Sequence, residues 1–282
     1  MANVTVTTAA NMIPELWGPL VLNAYVNAQK MRPLVTTIED GISYGDTYHF
    51  PTVTALTADD KTAGTDLTAV ANTEGKVDLS VNKHKAKLVR IEDIAKVQSK
   101  FDLLNIYASE IGGAIGRAID SDLAALASSC STTVDGTTTT AATLHTKIIE
   151  AKVTLDDGNA PEMGRVMVVT PQFAGELLQN PYFLSKDYRG DAEAVRSGVI
   201  GSIYGFDVVV SNALPTDGST DTNFVFVREA IGLVVAQDIA LESGRRVEGL
   251  ATDVVGSAIY GCGILRQAGC LALTSATAGY GG

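Results

Sequence analysis

The chain has 282 residues, 46% of them hydrophobic and 19% charged, which is enough for one large domain or two small ones. Its formal net charge of −11 argues against a protein that binds nucleic acid through a broad basic face. Three cysteines provide no disulfide framework, and the uncharged stretches are shorter than the ~20 apolar residues of a membrane-spanning helix. The first charge is Glu15, so no cationic signal-peptide region is present, and we expect a soluble protein that is reduced and intracellular at synthesis.

The N-terminal segment predicts an extended arm followed by a short helix. Residues 1–14 are small and β-branched, and they have no core pattern of their own. Helical spacing then runs from Leu20 to Lys30 and ends before Pro33. The single tryptophan, Trp17, precedes this helix and is interpreted as a packing anchor.

The next segment, residues 38–91, has the alternation of β-strands. Tyr48 and Phe50 share one parity, and the alternation resumes at Val77 and Leu79 after a long polar stretch. A long structureless connection is unusual inside a compact domain unless the loop is functional. We therefore expect a projecting β-loop whose tip finds its partners outside its own domain.

A row of lysines follows on the second of these strands. The apolar parity changes near Asn82, which predicts a bulge or a change of neighbouring strand. The row consists of Lys83, Lys85 and Lys87. It is either a solvated strand face or a surface that pairs with acidic patches, such as Asp59 and Asp60, on a neighbouring subunit. Exposed pairs are each worth ~0–1 kcal/mol, so only a network of them would matter.

The strongest helical signal runs from 101 to 130. Its apolar residues lie three or four apart on one face, at Leu104, Ala108, Ile111, Ile115, Ile119, Leu123 and Leu126. Such a helix is roughly 40 Å long. Gly112, Gly113 and Gly116 each cost ~1 kcal/mol in a helix interior, and their presence predicts that another backbone comes close.

The rest of the chain mixes helices and strands. Helices are predicted at 144–155 and 171–178, and strands at 165–170, 206–210, 224–227 and 233–235. A polar loop spans 182–201, and residues 246–273 carry short β-like runs broken by Gly256, Gly261 and Gly263. This interleaved pattern predicts an α+β fold.

Few residue patterns support catalysis. Residues 261–266 begin like a dinucleotide-binding glycine motif, but Arg266 stands where the third glycine belongs. The histidines, His49, His84 and His145, have no metal-binding spacing. Cys262 and Cys270 lie among apolar residues, which favours buried structural thiols over reactive ones. We expect no enzyme, no cofactor and no metal site, while a catalytic site assembled only in space stays open as an alternative.

Three stretches carry a family resemblance. Residues 13–17 read IPELW before a short helix, residues 195–215 read VRSGVIGSIYGFDVVVSNALP, and residues 228–233 read REAIGL. In these stretches and in the order of its elements, the chain resembles the major capsid protein of tailed bacteriophages, with the Hong Kong ninety-seven-like fold. The resemblance extends in order over nearly the whole chain.

The resemblance implies a domain organisation. Residues 1–34 would form an N-terminal arm, 35–90 an extended β-loop (the E-loop), and 91–130 a peripheral domain with a long spine helix. Residues 131–240 would form a mixed α/β axial domain, and 241–282 would return to the peripheral sheet and end in a tail.

It also implies a function and partners. The chain would be a subunit of an icosahedral head, built from pentamers and hexamers in the host cytoplasm and carried in the virion. The head would enclose double-stranded DNA without sequence-specific binding. A portal and a separate scaffolding protein are expected, the latter because no long charged leader precedes the arm. An encapsulin-like compartment shell stays open as an alternative. At the level of regions, the subunit interface is expected at Trp17, Asp59, Asp60, Lys83, Lys85 and Lys87.

Overall fold

A computed structural model of the chain describes residues 29–38, 45–53, 58, 60–64, 66, 71, 74–101, 103–137, 144–179 and 201–276. Trp17, nearly all of the predicted N-terminal helix, most of the tip of the β-loop and the polar loop before Gly201 lie outside the described residues.

The described part of the chain begins and ends with runs of strands, and its helices lie between these runs. The strands are β1 (Thr36–Ile38), β2 (Thr47–Val53), β3 (Glu74–Ser80), β4 (Lys83–Glu92), β5 (Thr133–Gly136), β6 (Arg165–Val169), β7 (Ser202–Ile203), β8 (Phe206–Val210), β9 (Thr220–Val227), β10 (Ile231–Arg246), β11 (Ala251–Ile264) and β12 (Cys270–Ala276). The α-helices are α1 (Asp93–Gln98), α2 (Leu103–Ala124), α3 (Leu144–Asp157) and α4 (Pro171–Gln179). This content confirms the α+β class.

A four-stranded sheet carries the long helix. Its strand order is β1-β10-β11-β4, with β1 parallel to β10 and the other neighbours antiparallel. Helix α2 packs on β11 and β4 and continues as a short 3-10 turn, Ala125–Ser129. Its buried stripe consists of Ile111, Ile115, Ile119 and Leu123, each at most 3% exposed. The predicted helix is thus confirmed, and so is its apolar face from Ile111 onward; the side chains of Leu104 and Ala108 lie outside the described residues.

A glycine of the sheet allows the close approach of this helix. A Cβ at Gly256 of β11 would lie 2.4 Å from Cγ2 of Ile111. By contrast, a Cβ at Gly112 would have no atom within 4 Å, and one at Gly116 would meet only the side chain of Gln29. The expectation that these two helix glycines mark a close backbone is wrong, because the space is made on the sheet side of the contact.

A six-stranded sheet forms the second major part of the fold. Its order is β5-β12-β9-β6-β8-β7, with parallel and antiparallel neighbours mixed. Its central strand β6 is buried along its whole length, as the apolar run predicted. One face packs with α3 and α4, while Val166 and Val168 on the other face join the core that also contains Leu123 of α2.

The chain crosses between these two sheets three times within the described residues. The crossings are 125–132, Arg228–Ala230 and 265–269. They meet at one place, which we call the crossing junction. There the Leu265 amide donates to the Ala230 carbonyl over 2.8 Å, and the Ser131 amide donates to the Gln267 side chain over 3.0 Å.

Two parts of the C-terminal region differ from expectation. Strand β11 runs unbroken through Gly256, Gly261 and Gly263, because its neighbours β10 and β4 supply hydrogen bonds along it. Strand β12 does not return to the sheet of the long helix but pairs with β5 and β9 in the six-stranded sheet. The domain boundaries given above otherwise stay a prediction.

Candidate assembly surfaces

Strands β2 and β3 form a two-stranded hairpin with one apolar face. Tyr48 lies opposite Leu79 and Phe50 lies opposite Val77, and directly opposite residues share a face. The rings of Tyr48 and Phe50 are 4.9 Å apart. Leu79 is buried, whereas the other three side chains are only partly covered. The predicted pair of strands is confirmed, and its apolar face is incompletely packed.

The opposite face of the hairpin is polar. His49 lies opposite Asp78 and bonds to its carboxylate, and Lys76 Nζ is 3.1 Å from the same carboxylate. The hydrogen bond from His49, followed by that from Lys76, lowers the pKa of Asp78 below its ordinary value. The hairpin therefore has one face suited to water and one suited to burial.

The root of the hairpin rests on glycines of β11. A Cβ at Gly261 would lie 2.3 Å from the carbonyl oxygen of Ser80, and one at Gly263 would lie 2.7 Å from Cδ1 of Leu79. Beyond Ser80 the chain changes neighbour, since β3 pairs with β2 whereas β4 pairs with β11. This is the change of neighbouring strand predicted near Asn82.

Two of the three predicted lysines converge on one carboxylate of the long helix. Lys83 Nζ and Lys85 Nζ lie 3.2 and 3.3 Å from Oδ2 of Asp122, to which the hydroxyl of Tyr260 also donates over 2.7 Å. Burial alone would raise the pKa of Asp122, but the hydrogen bonds from Tyr260 and Lys83 and the attraction of the ammonium groups lower it overall. This Asp122 cluster joins the base of the hairpin to α2.

A second aspartate of the helix holds the N-terminal side of the described chain. Asp120 is 5% exposed and accepts the amides of Lys30 over 2.6 Å and Met31 over 3.3 Å. Burial raises its pKa, against the effect of these backbone amides. Sequence reasoning missed Asp120, because its backbone partners lie about 90 residues away in the chain and no local motif marks it.

The far end of the four-stranded sheet carries exposed apolar side chains. Arg245 binds Asp93 at the start of α1 through a 2.7 Å hydrogen bond. The Asp93 amide also donates to the carbonyl of Leu250 in the β10–β11 turn. Around this contact, large apolar side chains are more than half exposed at Ile94, Val97, Val247 and Leu250. Together these residues define the distal patch.

The predicted interface residues occupy different environments. Asp60 and Lys87 are exposed, whereas Lys83 and Lys85 are partly buried against Asp122 of the same chain. Trp17 and Asp59 lie outside the described residues. The structure therefore brings two of the six residues together, in an intrachain cluster that the lysine spacing alone did not identify.

The described residues include no group of three His, Cys, Asp or Glu side chains placed to hold a metal ion. No described helix combines the length and apolar character needed to cross a membrane.

Solved structures define the class to which this architecture belongs. A structure from Mycobacterium phage Che8 is 27% identical with a TM-score of 0.76, covering 93% of this chain and 97% of that chain. The capsid structure of cyanophage P-SCSP1u is 23% identical with a TM-score of 0.74, covering 87% of each chain. The mature capsid of bacteriophage PhiM1 is 14% identical with a TM-score of 0.70, covering 88% of this chain and 87% of that chain. The fold is the Hong Kong ninety-seven-like fold of phage capsids.

The sequence identifies the family directly. A family model described as phage capsid protein matches residues 73–273, well over half of the chain. The chain therefore belongs to the phage capsid protein family, and its role is that of a major capsid protein in a viral shell. No curated protein matched the chain significantly.

Proposed function

We propose that this capsid protein builds an icosahedral head of pentamers and hexamers, in which the β2–β3 hairpin lies on a neighbouring subunit. In this proposal residues 1–34 are an arm, 35–90 the hairpin loop, 91–130 the peripheral domain and 131–240 the axial domain. Residues 241–282 are divided between the two domains, because β10 and β11 belong to the four-stranded sheet whereas β12 pairs within the six-stranded sheet.

The incompletely packed apolar face of the hairpin is the observation that carries this proposal. A two-stranded hairpin is at best marginally stable in water, and here Phe50 and Val77 have no third strand or helix of the described chain covering them fully. Burial of such a face gains ~25 cal/mol per Å² of apolar surface removed from water. A shell offers the required cover, because each subunit has a copy of itself beside it.

The distal patch supplies a second surface for self-association. Its apolar side chains surround the ion pair of Asp93 and Arg245, which holds α1 against the β10–β11 turn. Several modest contacts that repeat by symmetry reinforce one another. Lys87 and Asp60 are exposed and complete the polar part of the proposed interface, with Trp17 and Asp59 as further predicted members.

The remaining parts of the proposal concern chemistry and partners. The protein acts by contact and not by catalysis, and it needs no cofactor. Its acidic balance suits a wall that encloses double-stranded DNA without binding it tightly, since a basic lining would hold DNA through counterion release. Assembly in the host cytoplasm with a separate scaffolding protein and a portal belongs to the same proposal.

Electron microscopy of the purified protein tests the shell and the hairpin together. We expect closed shells from the unaltered chain and folded, unassembled subunits from Phe50→Asp, which places a charge on the apolar face. Lys76→Ser on the polar face is the matched control and should still assemble. Shells from Phe50→Asp would contradict the role of the hairpin. A chain that stays monomeric even with the scaffolding protein present would contradict the shell itself. Shells isolated from cells that hold an enzyme instead of DNA would favour an encapsulin-like compartment.

A further inference from the structure

At the crossing junction, one crossing contains a cysteine and another is followed directly by one. Cys130 ends the 3-10 turn after α2, and Cys270 is the first residue of β12. Immediately beyond them the two segments run side by side in parallel register, with Ala272 paired to Thr133 and its amide donating to the Thr132 carbonyl over 3.0 Å. Neighbouring strands lie ~4.8 Å apart, a separation that side chains as short as cysteine can bridge.

The side chain of Gln267 fixes both segments around these thiols. Its Nε2 donates to the carbonyl of Ser129 over 3.4 Å, and its Oε1 accepts from the amide of Ser131 over 3.0 Å, so it spans Cys130 on both sides. The Cys270 thiol in turn donates to the Gln267 carbonyl over 3.6 Å. The Cys130 thiol donates to the carbonyl of Leu126 over 3.7 Å and packs against the buried apolar cluster that contains Cys270. The interaction between the two thiols raises the pKa of Cys130 and lowers that of Cys270.

We propose that Cys130 and Cys270 are a redox pair that closes an intrachain disulfide across the crossing junction. Because the two segments already lie side by side and are held by Gln267, side-chain rotation can bring the sulfur atoms to the S–S length of ~2.05 Å. The pair stays reduced in a reducing cytosol and becomes oxidised when the protein meets an oxidising environment.

The chemistry proceeds by thiol–disulfide exchange with a small disulfide such as oxidised glutathione. Cys130, which is partly exposed, attacks as a thiolate, forms a mixed disulfide and releases one glutathione thiolate. Cys270, 2% exposed, then attacks the Cys130 sulfur and releases the second glutathione thiolate. Two thiols of the protein are oxidised and one small disulfide is reduced. The neighbouring Cys270 thiol and burial raise the pKa of Cys130, so we expect the first step to be faster at alkaline pH.

The bond would tie together the crossing that leaves α2 and the crossing that enters β12. Both join the four-stranded sheet to the six-stranded sheet, so the disulfide would restrict motion of one sheet relative to the other. A role in stiffening the released particle rests on the proposed function, whereas formation of the bond depends only on the folded chain. An experiment can therefore contradict the formation of the disulfide without contradicting the capsid function, and the reverse.

Peptide mapping of the full-length protein after incubation with oxidised glutathione tests the proposal. We expect a linked peptide pair that contains Cys130 and Cys270, together with loss of two free thiols per chain. Cys262→Ser is the matched control, because this third thiol points to the carbonyl of Asp122 instead, and the variant should still form the bond. Cys130→Ser and Cys270→Ser should each abolish it.

A stability measurement gives a second readout. Oxidation should raise the Tm of the unaltered chain by on the order of 10 °C, reversibly with dithiothreitol, because the bond closes a long loop. The Tm of Cys130→Ser should not respond. Recovery of glutathione adducts without the linked peptide, or linkage through Cys262, would overturn the proposal. Peptide mapping of the unaltered chain distinguishes these outcomes from the Cys130–Cys270 link even if a serine variant fails to fold.

Discussion

Asp120 and Asp122 stand two residues apart on α2, yet their pKa values are displaced in opposite directions. Residues two apart on a helix point to different sides. Asp120 is buried against the neutral amides of Lys30 and Met31, so desolvation dominates. Asp122 is also partly buried, but its two lysines and the Tyr260 hydroxyl favour the ionised form. Local sequence does not distinguish these environments, because the partners come from distant segments.

Removal of the Asp122 carboxylate should weaken the attachment of β4 to the helix. We expect Asp122→Ala to lower the free energy of unfolding by about 2 kcal/mol, since the buried Tyr260 hydroxyl loses its acceptor and the lysines lose their counter-charge. Glu150→Ala, which breaks the exposed pair with Lys147, is the control and should cost less than about 0.5 kcal/mol. Urea unfolding measures both, and equal effects would contradict a special role of Asp122.

The same carboxylate predicts a dependence on pH. The folded-state pKa of Asp122 lies below the ordinary 3.8, so its contribution to stability is present above that value and is lost as the pH falls through the lower folded-state pKa. The stability difference between the unaltered chain and Asp122→Asn should therefore narrow in that acidic window. Asp120 has the opposite sign, because its raised pKa favours the protonated form in the folded state. Urea unfolding at a series of acidic pH values measures the difference, and a constant gap would contradict the assignment.

At the scale of elements, β11 is the strand that joins the long helix, the hairpin and the rest of the four-stranded sheet. It pairs with β10 and β4, carries α2 over Gly256 and supports the hairpin root over Gly261. The sequence pattern predicted β-structure here, but as several short strands separated at the glycines. The strand is continuous because β10 and β4 pair along it, and its glycines are needed where α2 and the hairpin root approach closely. Apart from β10, these neighbours are remote in sequence.

A methyl group at Gly261 should push the hairpin root away from the sheet. Because the clash is with the backbone at Ser80, no side-chain rotation can relieve it, and Gly261→Ala should cost about 2–3 kcal/mol. Gly244 of β10 is the matched control, since a Cβ there would have no atom within 4 Å, and Gly244→Ala should stay within about 0.5 kcal/mol of the unaltered chain. Thermal unfolding compares the two, and a tolerated Gly261→Ala would show that the root can shift freely.

At the scale of the whole molecule, residues 30–38 connect the principal parts of the structure. The Lys30 ammonium donates to the Val210 carbonyl at the end of β8, and Asp120 binds the same segment to α2. Met31 and Val35 are buried in the core of the long helix, and β1 then joins β10. This segment therefore bridges the six-stranded sheet and the four-stranded sheet in a few residues.

Loss of the Asp120 carboxylate should release this bridging segment. Asp120→Ala leaves the amides of Lys30 and Met31 without their acceptor in a buried place, which should cost about 2–3 kcal/mol. Hydrogen exchange should then accelerate at both amides. The neighbouring exposed Ser121→Ala is the control and should change neither measurement. Unaltered protection at residues 30 and 31 would contradict the role of Asp120.

Residue order alone was sufficient to determine the α+β class, the long helix, the paired strands of the hairpin and the capsid resemblance, and it placed an irregularity near Asn82 that was either a bulge or a change of neighbouring strand. These features depend on hydrophobic periodicity and short sequence motifs, which are properties of contiguous residues. The tertiary structure alone decided that Lys83 and Lys85 bind Asp122, that β12 leaves the sheet of α2, and that Cys130 packs against the cluster that contains Cys270. Each of these contacts joins segments far apart in the chain, and the composition that first excluded a disulfide framework could not reveal which thiols the crossings bring together.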